Sequence, residues 1–293
     1  MNLNKFGIIS ILSAGFLFAS LANAQDNTTS ETSTSKTEVK KPEDTKKSEK
    51  PAAASEDTSL GVNLEVTFSS AYVFRGYNIF QKDSQMNQYG LVAPGLSYTF
   101  PDTGLSFGYW GAFQLNGDNK SINSDVGLNL ESDFYLSYSR KVTNKLYVKG
   151  ILTSYVYFFA KDSRPTWVEP GVIAYSNLDV VRASIGFYYL LGTQEYIRDA
   201  GYLYINPSVS KHFKMGKKPV NLTLGYGYKH YSDGNEGMSN VHDLLLTVDT
   251  FIQLPLIYIR PGIGVAWTNI EAPDSTFSDG FVVWAQLIMG VDK

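Results

Sequence analysis

The sequence predicts an all-β protein, a transmembrane antiparallel β-barrel of about twelve strands behind a signal peptide and a disordered N-terminal leader. Three observations predict it. Through residues 59–293, apolar and polar residues alternate with a period of two, the spacing that sends successive side chains to opposite faces of a sheet. The alternating segments approach the length a tilted strand needs to cross a bilayer, about 9–11 residues. Links after even-numbered segments are tight ("PDTG", "KVTN", "SNLD", "KMGKKP", "QLPL"), whereas several odd-numbered segments lead into long ones such as "NGDNKSINSDVG" and "SDGNEGMSN". Short periplasmic turns and longer extracellular loops are the arrangement of outer-membrane barrels.

The first residues set the compartment. Lys5 precedes "FGIISILSAGFLFASL", an apolar run short for a spanning helix. Ala22, Asn23 and Ala24 form a small-residue cleavage site before Gln25, so residues 1–24 read as a signal peptide. Residues 25–58 mix Ser, Thr, Lys and Glu with interspersed Pro and contain no aromatic residue. Such a composition cannot bury enough apolar surface to fold, and it reads as a periplasmic leader. Its intermixed charges exclude a basic nucleic-acid arm. The net charge of −3 points to no charged partner, and the absence of cysteine excludes disulfides and a lipid-attachment Cys. The chain has 20 Tyr, 17 Phe and 4 Trp, of which only Phe6, Phe16 and Phe18 precede residue 59.

The barrel domain, residues 59–293, divides into segments 62–74, 88–100, 105–115, 128–140, 145–158, 167–175, 179–190, 201–212, 219–230, 242–252, 256–268 and 280–291. In "NLEVTFSSAYVF", Leu64, Val66, Phe68, Tyr72 and Phe74 share one face; Asn63, Glu65, Thr67, Ser69 and Ala71 share the other. "LNLESDFYLSYS" opposes Leu128, Leu130, Phe134, Leu136 and Tyr138 to Asn129, Glu131, Asp133, Tyr135, Ser137 and Ser139. "GYLYINPSVS" and "VNLTLGYGYK" repeat the pattern. Pro94, Pro170, Pro207 and Pro261 each remove a ladder donor and predict bulges or local edges. Tyr72, Tyr109, Tyr138, Tyr155, Trp167, Tyr228 and Trp267 stand near segment ends, where interfacial aromatic girdles form.

Export into the envelope assigns the solvents. The apolar face meets lipid, and because hydrocarbon leaves no backbone N–H or C=O unpaired, the sheet closes. Tyr72 and Phe74 are then expected to face lipid, with Arg75 inward near the extracellular rim. The same parity lines the pore with Glu65, Glu131, Asp133, Tyr135, Lys149, Glu169, Arg182, Lys229, Asp249 and Arg260, and turns Asp243 inward. The charges are of both signs, suiting either a solute filter or internal ion pairs that brace the wall. Trp110, Tyr155, Tyr202 and Tyr204 also point inward and narrow the lumen.

"SSAYVFRGYNIFQKDSQMNQYGLVAPGLSYTF" resembles the opening of the Gcw_chp-type porin family, with Tyr72, Val73, Phe74, Arg75 and Gly76 on its "S.YVFRG" motif. "GYWGAFQL" is similar to the family's third strand, and Glu131, Asp133 and Tyr135 match its Glu-x-Asp-aromatic strand. The likeness is best over residues 62–140. It implies an outer-membrane barrel of channel type and supplies no substrate or catalytic residue.

Other chemistry is weaker. In "YKHYSDGNEG", His230 and Ser232 share the lipid-facing parity at the extracellular side, similar to outer-membrane phospholipases and lipid A deacylases. A nucleophilic serine also needs its base oriented by a third group. Glu236 lies in the loop, Asp243 has lumenal parity and the outward position is Leu244. His212, His230 and His242 have no zinc-site spacing. The loops "SDGNEG" and "APDSTFSDG" could supply oxygen ligands to Ca²⁺ but lack EF-hand spacing. The expected function is passive diffusion of small hydrophilic solutes through a narrow polar lumen, with membrane lipid around the barrel and no cofactor or nucleic acid. A surface-lipid hydrolase using His230 and Ser232, and a structural or adhesive barrel without a pore, are the alternatives.

Overall fold

The computed structural model describes residues 61–84, 87–115, 131–157, 166–178, 181–193, 201–216, 218–231, 241–270 and 279–292. The signal peptide, the leader, Ser232, the acidic loop "SDGNEG" and, apart from Asp279 and Gly280, the loop "APDSTFSDG" lie outside them.

Twelve strands form the wall: β1 (Val62–Ser69), β2 (Leu91–Thr99), β3 (Leu105–Gln114), β4 (Glu131–Lys141), β5 (Leu146–Val156) and β6 (Trp167–Asn177). The second half comprises β7 (Arg182–Gly192), β8 (Tyr202–Met215), β9 (Lys218–Tyr231), β10 (Val241–Thr250), β11 (Tyr258–Thr268) and β12 (Gly280–Asp292). Each pairs antiparallel with its chain neighbours. The first and last pair from Asn63↔Asp292 to Ser69↔Gln286, which closes the barrel.

The burial pattern shows which solvent each face was built for. On β4, Glu131, Asp133 and Tyr135 are 1%, 0% and 5% exposed, while Phe134 and Leu136 are 44% and 49% exposed. Outward rows of Leu, Val, Ile and Phe recur on the other strands, among them Leu152, Val172, Phe187, Leu224, Leu246, Ile263 and Val283. In water so continuous an apolar belt would be an aggregation surface; against acyl chains it is the stable choice. Tyr109, Tyr138, Tyr228 and Trp267 share this outward parity.

One end of the barrel carries the tight turns. Between β2 and β3, Asp102 (φ 59°) and Gly104 (φ 74°) reverse the chain. The Thr103 hydroxyl donates to the Phe100 carbonyl at 2.9 Å and accepts from the Leu105 N–H at 3.0 Å. The opposite end carries the long connections.

The prolines behave differently from the expectation of bulges. The β2–β3 register runs Val92↔Phe113 and then Gly95↔Trp110 without a shift. β6–β7 passes Pro170 the same way, from Val168↔Leu191 to Gly171↔Tyr188, and β8–β9 passes Pro207 from Ile205↔Tyr228 to Ser208↔Gly225. Pro261 sits in unbroken register opposite Leu287. A proline removes a donor but adds no residue, so the ladder loses a bond and keeps its alignment.

Candidate functional site: the lumen and its infolded hairpin

The first strand stops at Ser69, not at Phe74. Beyond it the chain turns into the barrel. All ten residues from Ala71 to Phe80 are buried, and Tyr72 and Phe74, expected against lipid, are 2% and 1% exposed. Val73–Phe74 and Tyr77–Asn78 pair as a small hairpin. Its two-residue turn is Arg75 (φ 45°) and Gly76 (φ 87°), the doubly left-handed conformation of a type I′ turn. Glycine is required at the second position, because a Cβ on Gly76 would collide with Asp243 Cβ and the Trp267 carbonyl. Arg75, with no such dispensation, holds a conformation that costs about 1 kcal/mol.

Side-chain contacts offset that strain. Arg75 Nη2 pairs with Glu169 Oε2 at 2.6 Å, and Nη1 donates to the Tyr202 hydroxyl at 2.5 Å. The guanidinium lies over four rings, 4.1 Å from Tyr204, 4.6 Å from Phe74, 5.3 Å from Tyr202 and 5.6 Å from Tyr188. On the other side, Lys229 Nζ donates to the Arg75 carbonyl at 2.8 Å and stands 3.6 Å from Asp243 Oδ2. Tyr155 donates to Glu169 Oε1 at 3.0 Å, Tyr204 to Asp243 Oδ1 at 3.2 Å and Tyr72 to Glu131 Oε2 at 3.3 Å. Charge pairs this deeply enclosed are strongly destabilising to break, because the survivor is left as a buried lone charge.

The hairpin's apolar side chains complete the closure. Tyr72 meets Phe80 edge-on at 5.1 Å and Trp110 at 5.5 Å. Tyr72, Phe74, Tyr77, Ile79 and Phe80 join Trp110, Tyr135, Tyr155, Trp167, Tyr188, Tyr202 and Tyr204 in one buried cluster. Ala71 and Val73 join Ala266, Val282 and Trp284 in a second. The long-loop half of the lumen is thus packed as a protein core. Tyr155 and Trp167, expected in an interfacial girdle, belong to this core, since their parity is that of Lys149 and Glu169.

The tight-turn half is different. Arg182, Ser184, Ser208, Ser210, Thr223 and Asn221 line it and remain part-exposed. Ser184 and Ser208 hydroxyls meet at 2.6 Å, Ser210 and Thr223 at 2.9 Å, and Asn221 donates to Asp249 at 3.2 Å. Along the wall, over Gly290 of the strand between them, Tyr258 donates to Glu65 at 3.0 Å. Lys149 and Arg260 are buried on the same inward face. Along the inner wall, from the plug toward the tight turns, several rings lie flat over glycines. Tyr135 covers Gly108, Tyr188 covers Gly171, Trp284 covers Gly264 and Tyr258 covers Gly290, each a direct cross-strand pair. A missing side chain beneath each ring keeps it out of the passage.

The wall residues expected to line the pore share the inward parity, whereas Arg75 stands on the infolded hairpin, which draws it together with Glu131, Glu169 and Lys229 at the long-loop end. Glu65, Lys149, Arg182, Asp249 and Arg260 stand nearer the other end. Tyr77, Asn78, Phe80 and Tyr188, which alternation does not single out, are buried at this site as well. The signal was available, since "YVF-RG-YNIF" places an X-Gly pair between two aromatic runs, a two-residue hairpin signature. On the outer face His230 is exposed, Asp243 lies on the opposite side of the wall, and His242 Nδ1 meets the Tyr226 hydroxyl at 2.5 Å.

Neither a family model nor a curated protein matches the chain, so the likeness to the Gcw_chp-type family rests on the quoted motifs. Solved structures do match. The KdgM porin superposes with a TM-score of 0.50 at 7% identity, over 79% of this chain and 99% of that one. A KdgM porin in complex with disordered oligogalacturonate gives 0.46 at 8% identity, covering 79% and 98% of the two chains. The NanC porin gives 0.46 at 10% identity, covering 79% and 98%. At such identities the likeness is one of fold: the chain has the outer-membrane β-barrel fold of the KdgM porin.

Proposed function

We propose that the protein is exported through residues 1–24 to the outer membrane and there admits small hydrophilic solutes by passive diffusion, with the infolded hairpin of residues 71–80 limiting passage. The observation that carries this reading is the divided lumen: a polar, part-exposed half leads up to a compact plug held by side chains from several strands. Twelve strands enclose more space than an eight-stranded barrel, whose side chains fill it, and less than an open porin of 16–18 strands. One infolded hairpin is the right amount of material to constrict such a bore. On this reading the tight turns face the periplasm and the plug lies toward the cell exterior. The "YVFRG" motif shared with the Gcw_chp-type family is then the sequence of the plug itself.

Liposome swelling tests it. The purified chain should admit arabinose and glucose at rates that fall with solute size, and exclude sucrose. An impermeable wild type whose permeability stays at the empty-vesicle level after Arg75→Ala would favour a structural barrel instead.

A further inference from the structure

Beneath the hairpin the wall encloses a cation without pairing it. Lys149 is 9% exposed and has the inward parity of Ile151, Thr153 and Tyr155, whereas Leu152 faces outward. Among the described residues, no hydrogen bond or ion pair reaches its ammonium. The contrast with the two cations of the plug is sharp, since Arg75 and Lys229 have carboxylates at 2.6 and 3.6 Å. The cross-strand neighbours of Lys149 are Ser139 on β4 and Ile173 on β6. One inward step toward the tight-turn mouth stands Tyr147, stacked on Tyr175 with ring centres 5.1 Å apart and planes within 5°. Both rings are part-exposed.

An ammonium largely withdrawn from bulk water without a counter-charge is destabilising, and what exposure is left to Lys149 opens toward the lumen. Within membrane segments such groups face a cavity and mark solute or ion pathways. We propose that Lys149 anchors an anion-binding subsite on the lumen wall, which takes the carboxylate or phosphate of a small polar solute. The Ser139 hydroxyl is at hand to hydrogen-bond the solute, and the Tyr147–Tyr175 pair gives its body a flat surface. The subsite deepens the channel reading, because that reading supplies the route by which the solute arrives. Binding itself does not require conduction.

Titration calorimetry on the mature chain in detergent separates the two. The probes are glucuronate, glucose 6-phosphate and uncharged glucose, applied to wild type, Lys149→Met and Lys149→Arg. The expected result is that at least one anion binds, glucose does not, Lys149→Met weakens binding by about tenfold or more, and Lys149→Arg retains it. Binding of glucuronate alone assigns a carboxylate, and of glucose 6-phosphate alone a phosphate. The Met variant should unfold no earlier than wild type, since an apolar side chain of similar length replaces an unpaired charge. Equal affinity for glucose, undiminished binding by Lys149→Met, failure of wild type to bind either anion, or a marked loss of stability in the Met variant each overturns the proposal. Binding without solute permeation would keep the subsite and reject the channel; permeation without binding would do the reverse.

Discussion

The two halves of the lumen are lined by the same strands with the same parity, yet they solve different problems. At the long-loop end the inward residues are aromatic or charged and nearly all are buried, because residues 71–80 supply the matching surface. At the tight-turn end hydroxyls, amides and charges stand among the rings of Tyr147, Tyr175 and Tyr258, and several of these residues are left part-exposed. The comparison teaches that inward parity determines only that a side chain leaves the lipid. Whether it then meets water or protein depends on what else enters the barrel.

Substitutions at the plug should show the largest effects. Arg75→Ala leaves Glu169 enclosed without its guanidinium, which should destabilise the folded barrel by about 3–5 kcal/mol, read by denaturant unfolding in detergent, and raise solute permeability. An unchanged barrel would mean that the Arg75–Glu169 pair is not enclosed. Gly76→Val should approach that effect, because the turn needs φ 87° and the Cβ has no room. Unaltered stability there would show that the turn is not seated against Asp243.

Changes at the lower margin of the plug and on the outer wall should be milder. Gly171→Leu forces Tyr188 off the wall and should destabilise by about 1–3 kcal/mol, the usual range for overpacking. Because the displaced ring enters the passage, permeability should fall where Arg75→Ala raises it. Opposite signs for the two variants are the sharpest form of the comparison. On the outer face, Tyr226→Phe removes only the hydroxyl bonded to His242 and should shift stability by about 0.5–1.5 kcal/mol, without altering permeability.

Much of the fold was legible in the sequence, because strand parity and turn chemistry are local. All twelve segments exist, and "PDTG" and "KVTN" are turns. The alternation of the first segment runs five residues past the end of its strand for a physical reason. Tyr72 and Phe74 keep the parity of Leu64 and Phe68, and an aromatic side chain gains from leaving water whether it enters lipid or a protein core. Alternation alone therefore cannot tell the membrane from a plug. Trp167 and Tyr155 were ambiguous in the same way, since aromatic residues at strand ends suit both a girdle and a core. The pairing of Arg75 with Glu169 could not be read at all: the partners are 94 positions apart and meet only because the hairpin crosses the bore.

The central claim is that residues 71–80 set the narrowest part of the bore. Single-channel recording in planar bilayers tests it directly, comparing wild type with a variant in which 71–80 are replaced by a short Gly-Ser linker. Removing the plug should raise conductance severalfold while heat-modifiable migration on gels shows that the barrel still forms. A folded variant whose conductance matches wild type would contradict the account, for the bore would then be governed by something other than the hairpin.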